Sequence, residues 1–167
     1  MFKFPLFIVY TSLMLISSSC YCQVPRSDRF SNLKFDTTKT AILDFKKWMT
    51  WVFDGTFKPA RLIQEDLSVI DSFLVEAVDD FNSWQQIHKS GHPWKIDLKS
   101  HSYSKQLFAV TNKNGEKEVW VNCFCTADNL DWKSTLIYVE DGATCFFNFK
   151  INLTTKAYYE FRVNAAA

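Results

Sequence analysis

Along residues 64–88, apolar side chains recur at steps of three and four, which is the period of an amphipathic α-helix. Glu65 and Asp66 stand at its start, where acidic side chains interact favourably with the positive end of the helix dipole. Gly91 and Pro93 end the pattern. The stretch predicts a long helix with a core-facing stripe of Leu67, Ile70, Phe73, Leu74, Ala77, Val78, Phe81 and Trp84.

The polar side of the same stretch is acidic. It contains no lysine or arginine, and its six acids are Glu65, Asp66, Asp71, Glu76, Asp79 and Asp80. Two interpretations stay open at this stage. The acids form either a solvated outer face or an electrostatic contact for a basic partner or a divalent ion.

A shorter helix is predicted over residues 40–53, with Thr40 as its N-cap and Gly55 beyond its end. Its apolar residues fall at helical spacing, although the stretch finishes with three consecutive apolar residues that widen the apolar surface. Residues 23–39 ahead of it are polar and predict a flexible N-terminal arm.

After Pro93 the period of the pattern changes to two, which is typical of half-buried β-strands. Turn residues at 112–115, 141–142 and 152–156 separate the alternating runs. Five consecutive strands are predicted: Tyr103–Thr111, Lys117–Cys125, Thr135–Glu140, Ala143–Ile151 and Ala157–Val163. Because helices precede strands, we expect one α+β domain over residues 40–167, with two N-terminal helices packed on one face of a five-stranded antiparallel meander sheet.

The turns fix which residues oppose each other across the strands, and hence the face that each side chain takes. The predicted opposite pairs are Leu107/Val121, Phe108/Trp120, Ala109/Val119, Leu136/Phe147 and Tyr138/Cys145. The face predicted to meet the helices carries Leu107, Ala109, Val119, Val121, Cys123, Cys125, Leu136, Tyr138, Cys145, Phe147, Phe149, Ile151, Tyr159, Phe161 and Val163.

The opposite face of this predicted sheet mixes polar residues with six apolar ones: Phe108, Trp120, Phe124, Ile137, Val139 and Phe146. A sheet face in contact with water is normally polar, so an apolar patch of this size favours a contact surface. The predicted binding residues, for a protein partner or a second copy of the chain, are Phe108, Trp120, Phe124, Ile137 and Phe146. Alternatively, the N-terminal arm or the first helix covers this face, or curling of the sheet buries it.

Three cysteines follow the predicted leader described below. Cys123 and Cys125 alternate on one strand about 6.6 Å apart, which is poor geometry for a mutual disulfide. In a meander, Cys145 lies two strands further on, about 9.5 Å away. We therefore expect three reduced, buried thiols, and a Cys125–Cys145 bridge would require a different strand order.

Residues 1–22 resemble a signal peptide. Lys3 precedes an apolar run of 11 residues, which is too short to span a bilayer, and small residues follow. Cleavage after Cys22 would release an exported protein into the periplasm, the cell surface or the medium. The alternative is lipidation of Cys20, which would anchor the protein to a membrane, although Ser17 stands where bacterial lipoprotein signals prefer an aliphatic residue.

Composition excludes several classes of protein. Hydrophobic residues make up 47% of the chain, which is too many for intrinsic disorder. Removing Lys3 with the leader leaves 18 of the 19 basic residues against 18 acidic ones, and this balance argues against a nucleic-acid partner. The sequence has no phosphate-binding loop, nucleophile elbow or zinc-protease motif, so we predict no cofactor and no catalytic residue. A zinc site of His88, His92 and His101 is a minor alternative.

Three segments resemble a family of small exported Bacteroidetes proteins: Glu118–Cys125, Asp141–Lys156 and Tyr158–Tyr159. The resemblance covers roughly residues 56–164. It implies a Gram-negative host and a periplasmic or cell-surface location, and it transfers no activity. The order of a helix followed by an antiparallel sheet is also similar to that of cystatin-like and NTF2-like folds, which include both inhibitors and enzymes.

These observations predict an exported, non-catalytic binding module that uses the open apolar face of its sheet. The alternative is a small-ligand-binding or enzymatic domain with a pocket between helix and sheet. Its polar groups would come from Tyr103, Tyr138 or Tyr159.

Overall fold

The computed structural model describes residues 37–88, 94–127 and 130–164. The predicted signal peptide and all of the predicted arm before residue 37 lie outside these ranges. Within them the chain forms one long α-helix and a six-stranded mixed sheet. The elements are β1 (Thr40–Ile42), β2 (Lys58–Ala60), α1 (Gln64–His88), β3 (Ser104–Thr111), β4 (Lys117–Phe124), β5 (Phe146–Asn152) and β6 (Ala157–Val163), with 3₁₀ turns at Thr37–Lys39, Lys47–Trp51 and Ala143–Cys145.

The sheet has the order β1-β3-β4-β5-β6, and β2 also pairs with β3. The strands from β3 to β6 are consecutive and antiparallel, as the alternating pattern predicts. Two short strands share the outer edge of β3. β1 runs parallel to its first half, and β2 runs antiparallel to its second half. The sheet is therefore mixed, because β1 is parallel to β3. The sequence pattern predicts a helix for the segment that forms β1.

The long helix is confirmed at residues 64–88. Its apolar stripe packs on one face of the sheet from Leu67 to Phe81, whereas Trp84, also predicted to face the core, is 48% exposed. The register predicted for the β3–β4 hairpin, with Leu107 opposite Val121, is confirmed. The cluster between helix and sheet is buried and includes Ile70, Phe73, Leu74, Ala77, Leu107, Val119, Val121, Cys123, Phe147, Phe149 and Ile151. We call the other side of the sheet the second face.

At least three of the six acids on α1 contact the sheet. Asp66 Oδ2 lies 2.7 Å from Lys117 Nζ, and Asp71 forms an ion pair with Lys105, with both side chains mostly buried. The hydroxyl of Tyr158 donates a hydrogen bond to Asp80. These acids are thus neither a purely solvated face nor a site kept for an outside cation, because they pair with groups on the sheet.

The prediction of a helix over residues 40–53 is wrong. Residues 40–42 join the edge of β3 as β1, and a short 3₁₀ turn follows at Lys47–Trp51. Between β1 and β2 the chain leaves the sheet edge and crosses the second face, where Met49, Val52 and Phe53 pack against the sheet. A segment that is apolar on most sides can bury several of them by lying across a sheet, without becoming a regular helix.

The predicted strand at residues 135–140 is also wrong. These residues have no strand conformation, and β5 pairs directly with β4. The expected pairs of Leu136 with Phe147 and of Tyr138 with Cys145 therefore do not form. The segment lies on the second face, held there by side-chain amides that are described below.

The predicted face of Tyr159 is wrong because a bulge interrupts β6. The register shifts between Asn148 and Lys150 of β5, and Glu160 adopts a positive φ of 50°. The extra residue turns Tyr158 toward the helix and Tyr159 toward the second face, while Phe161 keeps its predicted contact with the core.

The turn before β6 contains a strained residue that a substitution can relieve. Lys156 is exposed and has a φ of 58°, a region that L-residues occupy at a cost. We expect Lys156→Gly to raise the free energy of unfolding by about 0.5–1 kcal/mol in urea titrations. Thr155→Gly is the matched control, since Thr155 has no positive φ and glycine should destabilise it by a similar amount. If both variants lose stability equally, the strain at Lys156 does not exist.

Candidate functional site

The predicted binding residues lie in the interior of the protein. Phe108, Trp120, Phe124 and Ile137 are between 0% and 3% exposed, and Phe146 is partly buried. The prediction of an open apolar sheet face is therefore wrong. The alternative is that the N-terminal arm or the first helix covers this face. It agrees with the structure in part, because Met49, Val52 and Phe53 from the predicted first helix pack on the face. Two covering segments, residues 43–57 and 130–139, lie on the second face.

The first covering segment packs through aromatic rings. The ring centroid of Phe108 lies 5.7 Å from that of Phe45 and 6.0 Å from that of Phe53. Trp51 meets Trp120 edge-on at 5.7 Å. Contacts of this density belong to a second core, so the sheet carries packed layers on both faces.

The second covering segment is held by two buried amides. Gln106 Nε2 donates to the carbonyl oxygens of Trp132 and Thr135 at 2.6 and 2.7 Å, and its Oε1 accepts from the backbone N–H of Ile137 at 2.9 Å. Asn122, opposite Gln106 on β4, donates to the Ile137 carbonyl at 2.7 Å. Backbone groups that a strand would satisfy in a ladder are satisfied here by side chains.

The alternative prediction places a pocket between helix and sheet. Buried apolar side chains pack together there instead. The three candidate tyrosines also do not converge on one place. The hydroxyl of Tyr103 donates to the Thr144 carbonyl at 2.9 Å, Tyr138 is exposed, and Tyr159 lies on the second face. Burial raises the pKa of Tyr103, and burial and the bond to Glu118 raise that of Tyr159 further.

A buried carboxylate on the second face is fully engaged. Glu118 is 5% exposed, accepts from Asn112 Nδ2 at 2.7 Å and accepts from the Tyr159 hydroxyl. Among the described residues, every buried side-chain nitrogen and oxygen has a hydrogen-bond partner. Glu118 therefore fixes the hairpin to β6, and nothing in its contacts suggests acid–base chemistry.

The cysteines differ from the prediction. Cys125 and Cys145 form a disulfide, with their Cα atoms 5.1 Å apart, because β4 and β5 are neighbours once residues 135–140 leave the sheet. Cys123 is free and buried, as predicted. Burial raises the pKa of the Cys123 thiol to about 12, so it carries no thiolate at neutral pH.

The histidines do not converge on a metal site in the part of the chain that the structure describes. His88 Nδ1 lies 2.9 Å from the Trp84 carbonyl, His101 neighbours Tyr103, and His92 lies outside the described ranges. No group of three or more histidine, cysteine or acidic residues there is placed to hold a metal ion. The described helices also include none that is long and apolar enough to cross a membrane.

The feature that remains is a row of exposed rings on the outside of the covering segments. Trp48, Trp51 and Tyr138 are 56%, 51% and 56% exposed, and we call them the aromatic surface. Trp48 and Trp51 stand three residues apart in the Lys47–Trp51 3₁₀ turn, which is kinked at Met49 between them. The Tyr138 ring meets the Trp51 ring at 4.9 Å and continues the row.

A shallow groove of about 240 Å³ borders the aromatic surface. Trp48, Met49 and Leu136 provide apolar lining, and Lys46 and Lys133 provide two positive charges against the single negative charge of Asp44. Lys133 is held in place, since its Nζ donates to the Thr38 carbonyl at 2.9 Å. The remaining lining residues are Ile42, Leu43 and Ser134.

The sequence pattern does not predict this surface, because it assigns Trp48 to the buried stripe of a helix. A signal was present in the two tryptophans at a spacing of three, inside a stretch too apolar on all sides for one buried stripe. Comparisons with known proteins add no further guide: no protein-family model, curated protein or solved structure matches the chain.

Proposed function

We propose that the protein is an exported, non-catalytic binding module that contacts an acidic segment of a protein partner through the aromatic surface. The observation that carries the proposal is the exposure of Trp48, Trp51 and Tyr138, each more than half exposed on the covering segments, with the Trp51 and Tyr138 ring centroids 4.9 Å apart. Burying such rings against water is favourable, and tryptophan and tyrosine dominate the binding energy of protein interfaces.

Binding fits better than catalysis because the reactive groups are occupied elsewhere. The Cys123 thiol is buried, Glu118 is engaged by Asn112 and Tyr159, and Asp71 is paired with Lys105. An enzyme needs a nucleophile or acid–base pair that a substrate can reach. These three groups offer no such access.

The charge of the groove indicates the chemistry of the partner. Lys46 and Lys133 line the groove together with Trp48, and Asp44 is the only acid among the groove's described lining residues. A partner segment with one or two carboxylates and an apolar side chain would complement both the lysines and the rings. Because these lysines are exposed, we expect the charged part of the affinity to weaken with added salt.

Two observations support export. The leader pattern of residues 1–22 is one, and the Cys125–Cys145 disulfide is the other, since disulfides persist mainly in oxidising compartments. With cleavage after Cys22 the protein would act as a soluble module of the periplasm or the cell surface. Lipidation of Cys20 would place the same module on a membrane.

A site-specific photo-crosslinker tests the aromatic surface. We would place p-benzoylphenylalanine at position 138 in cells that make the protein, identify any crosslinked protein by mass spectrometry, and measure its affinity for the purified domain. Trp48→Ala should weaken that affinity by about 30-fold, which corresponds to about 2 kcal/mol at an interface hot spot. Lys46→Ala should weaken it less and reduce its dependence on salt.

Trp84 provides the matched control. It is a 48% exposed tryptophan near the end of α1, outside the aromatic surface, so Trp84→Ala should leave the affinity unchanged. If Trp48→Ala and Trp84→Ala bind equally well, the surface is not the contact site. Identical crosslinks from positions 84 and 138 would also contradict the proposal.

A further inference from the structure

A larger concavity, which we call the strand-end cleft, lies where β3 begins and β4 ends. Its volume is about 430 Å³, which lies in the range of small-molecule sites. It shares no lining residue with the groove beside the aromatic surface. The described lining residues are Lys39, Ser102, Ser104, Phe124, Cys125, Thr126, Ala127, Leu130 and Trp132.

The residues that line the strand-end cleft are held by contacts with one another and with the rest of the domain. The Trp132 ring meets the Phe124 ring edge-on at 5.7 Å, and the Trp132 carbonyl accepts from Gln106 Nε2 at 2.6 Å. Cys125 is tied to Cys145 by the disulfide and by a backbone hydrogen bond of 3.0 Å. A cleft whose walls are already held loses little conformational entropy when a ligand enters.

The lining combines one charge with hydroxyls and an apolar wall. Lys39 is the single charged residue among the nine described lining residues. Ser102, Ser104 and Thr126 provide three hydroxyls that can donate hydrogen bonds. Trp132 and the 55% exposed Leu130 provide surface for a ring or a short chain.

We infer that the strand-end cleft binds a small carboxylate that carries a planar ring. The carboxylate would take hydrogen bonds from Lys39 and the serine hydroxyls, and the ring would lie against Trp132. A charge-assisted hydrogen bond to lysine favours the anion over its neutral analogue. The strand-end cleft and the groove beside the aromatic surface share no lining residue, although Lys133 of that groove has its Nζ 3.9 Å from the centre of the Trp132 ring.

Solution NMR with two matched probes tests the inference. In the full mature protein labelled with ¹⁵N, we expect sodium benzoate to shift the indole N–H signal of Trp132 and to saturate in the millimolar range. The indole signals of Trp48 and Trp51 should stay in place and serve as internal references. Benzyl alcohol has the same ring without the charge, and it should bind about tenfold more weakly, which corresponds to about 1.4 kcal/mol.

A lysine variant assigns the charge. Lys39→Met keeps the apolar stem and removes the ammonium, so it should reduce benzoate affinity by about tenfold and leave that of benzyl alcohol unchanged. Lys113→Met, in the exposed β3–β4 turn, is the control and should change neither. Equal affinities for the two probes, an unchanged benzoate affinity in Lys39→Met, or an unmoved Trp132 signal at about 50 mM benzoate would each overturn the inference.

Discussion

Replacing Gln106 with leucine is expected to lower the free energy of unfolding by about 3–5 kcal/mol. The side chain is 0% exposed and makes four hydrogen bonds, three to the backbone of residues 132–137 and one to Asn122. Leucine has nearly the same volume but can satisfy none of them. The Ile137 N–H would then be buried without a partner, and each such group costs about 1–3 kcal/mol.

Urea unfolding and hydrogen exchange together check this expectation. Exchange of the Ile137 amide should become fast in Gln106→Leu, because the bond that protects it is gone. Asn148→Ala on the same face is the control. Asn148 accepts one long bond of 3.3 Å from Trp120 Nε1, so its loss should cost about 1 kcal/mol. A Gln106→Leu protein with a comparable small loss and a protected Ile137 amide would show that the amides do not hold the covering segment.

Local patterns predict the parts of the fold in which neighbouring residues decide the structure. The stripe of α1 recurs along most of a 25-residue helix, and the β3–β4 hairpin has long alternating strands around a tight turn. In the helix only one rotation about its axis buries the stripe, and in the hairpin the tight turn sets which residues oppose each other. The register of the hairpin therefore follows from the sequence, while each predicted strand extends one residue beyond the observed β3 and β4.

Residues 135–140 show where alternation misleads. The pattern of apolar residues, Leu136 and Ile137 among them, predicts a strand here. The same pattern predicts that Asn122 faces water. In the structure Asn122 is buried and, with Gln106, replaces the ladder bonds that a strand would make. A polar pair opposed in the middle of two apolar strands is the signal that could have indicated a docked segment.

The first covering segment shows a tertiary contact overriding a helical pattern. Thr40–Ile42 finds an unpaired edge on β3, and Phe53 finds Phe108 on the second face, so a regular helix would satisfy fewer contacts. Of the five candidate binding residues, Phe108 and Trp120 belong to the buried apolar cluster of the second face, and Phe124 and Ile137 are also buried. Their cover, rather than the cluster itself, provides the exposed rings.

The error at residues 135–140 also determines the error about the cysteines. A strand there would separate β4 from the segment that carries Cys145 by one further strand and keep Cys125 too far away to bond. Without that strand the two cysteines meet across neighbouring strand ends. The two strand orders thus make opposite predictions about the oxidation state of Cys125 and Cys145. Detecting the disulfide therefore distinguishes between the two topologies.

Reduction of the Cys125–Cys145 disulfide is expected to lower the free energy of unfolding by about 3 kcal/mol. The bond closes a loop with a sequence separation of 20, and a loop of that size restricts the unfolded chain by about this free energy. The loop includes the second covering segment. Reduction should therefore also weaken the hydrogen bonds that hold this segment at Trp132 and Ile137. Guanidinium titrations with and without dithiothreitol measure the difference.

Two variants and a labelling experiment separate this bond from other effects of reductant. The double variant Cys125→Ser/Cys145→Ser should show the same loss and no further response to dithiothreitol, whereas Cys123→Ala should keep the full response. In the unfolded, unreduced chain, a maleimide should label Cys123 and spare Cys125 and Cys145, as read by peptide mass. Labelling of all three without reductant would mean that the bond is absent and that β4 and β5 are not neighbours at that end.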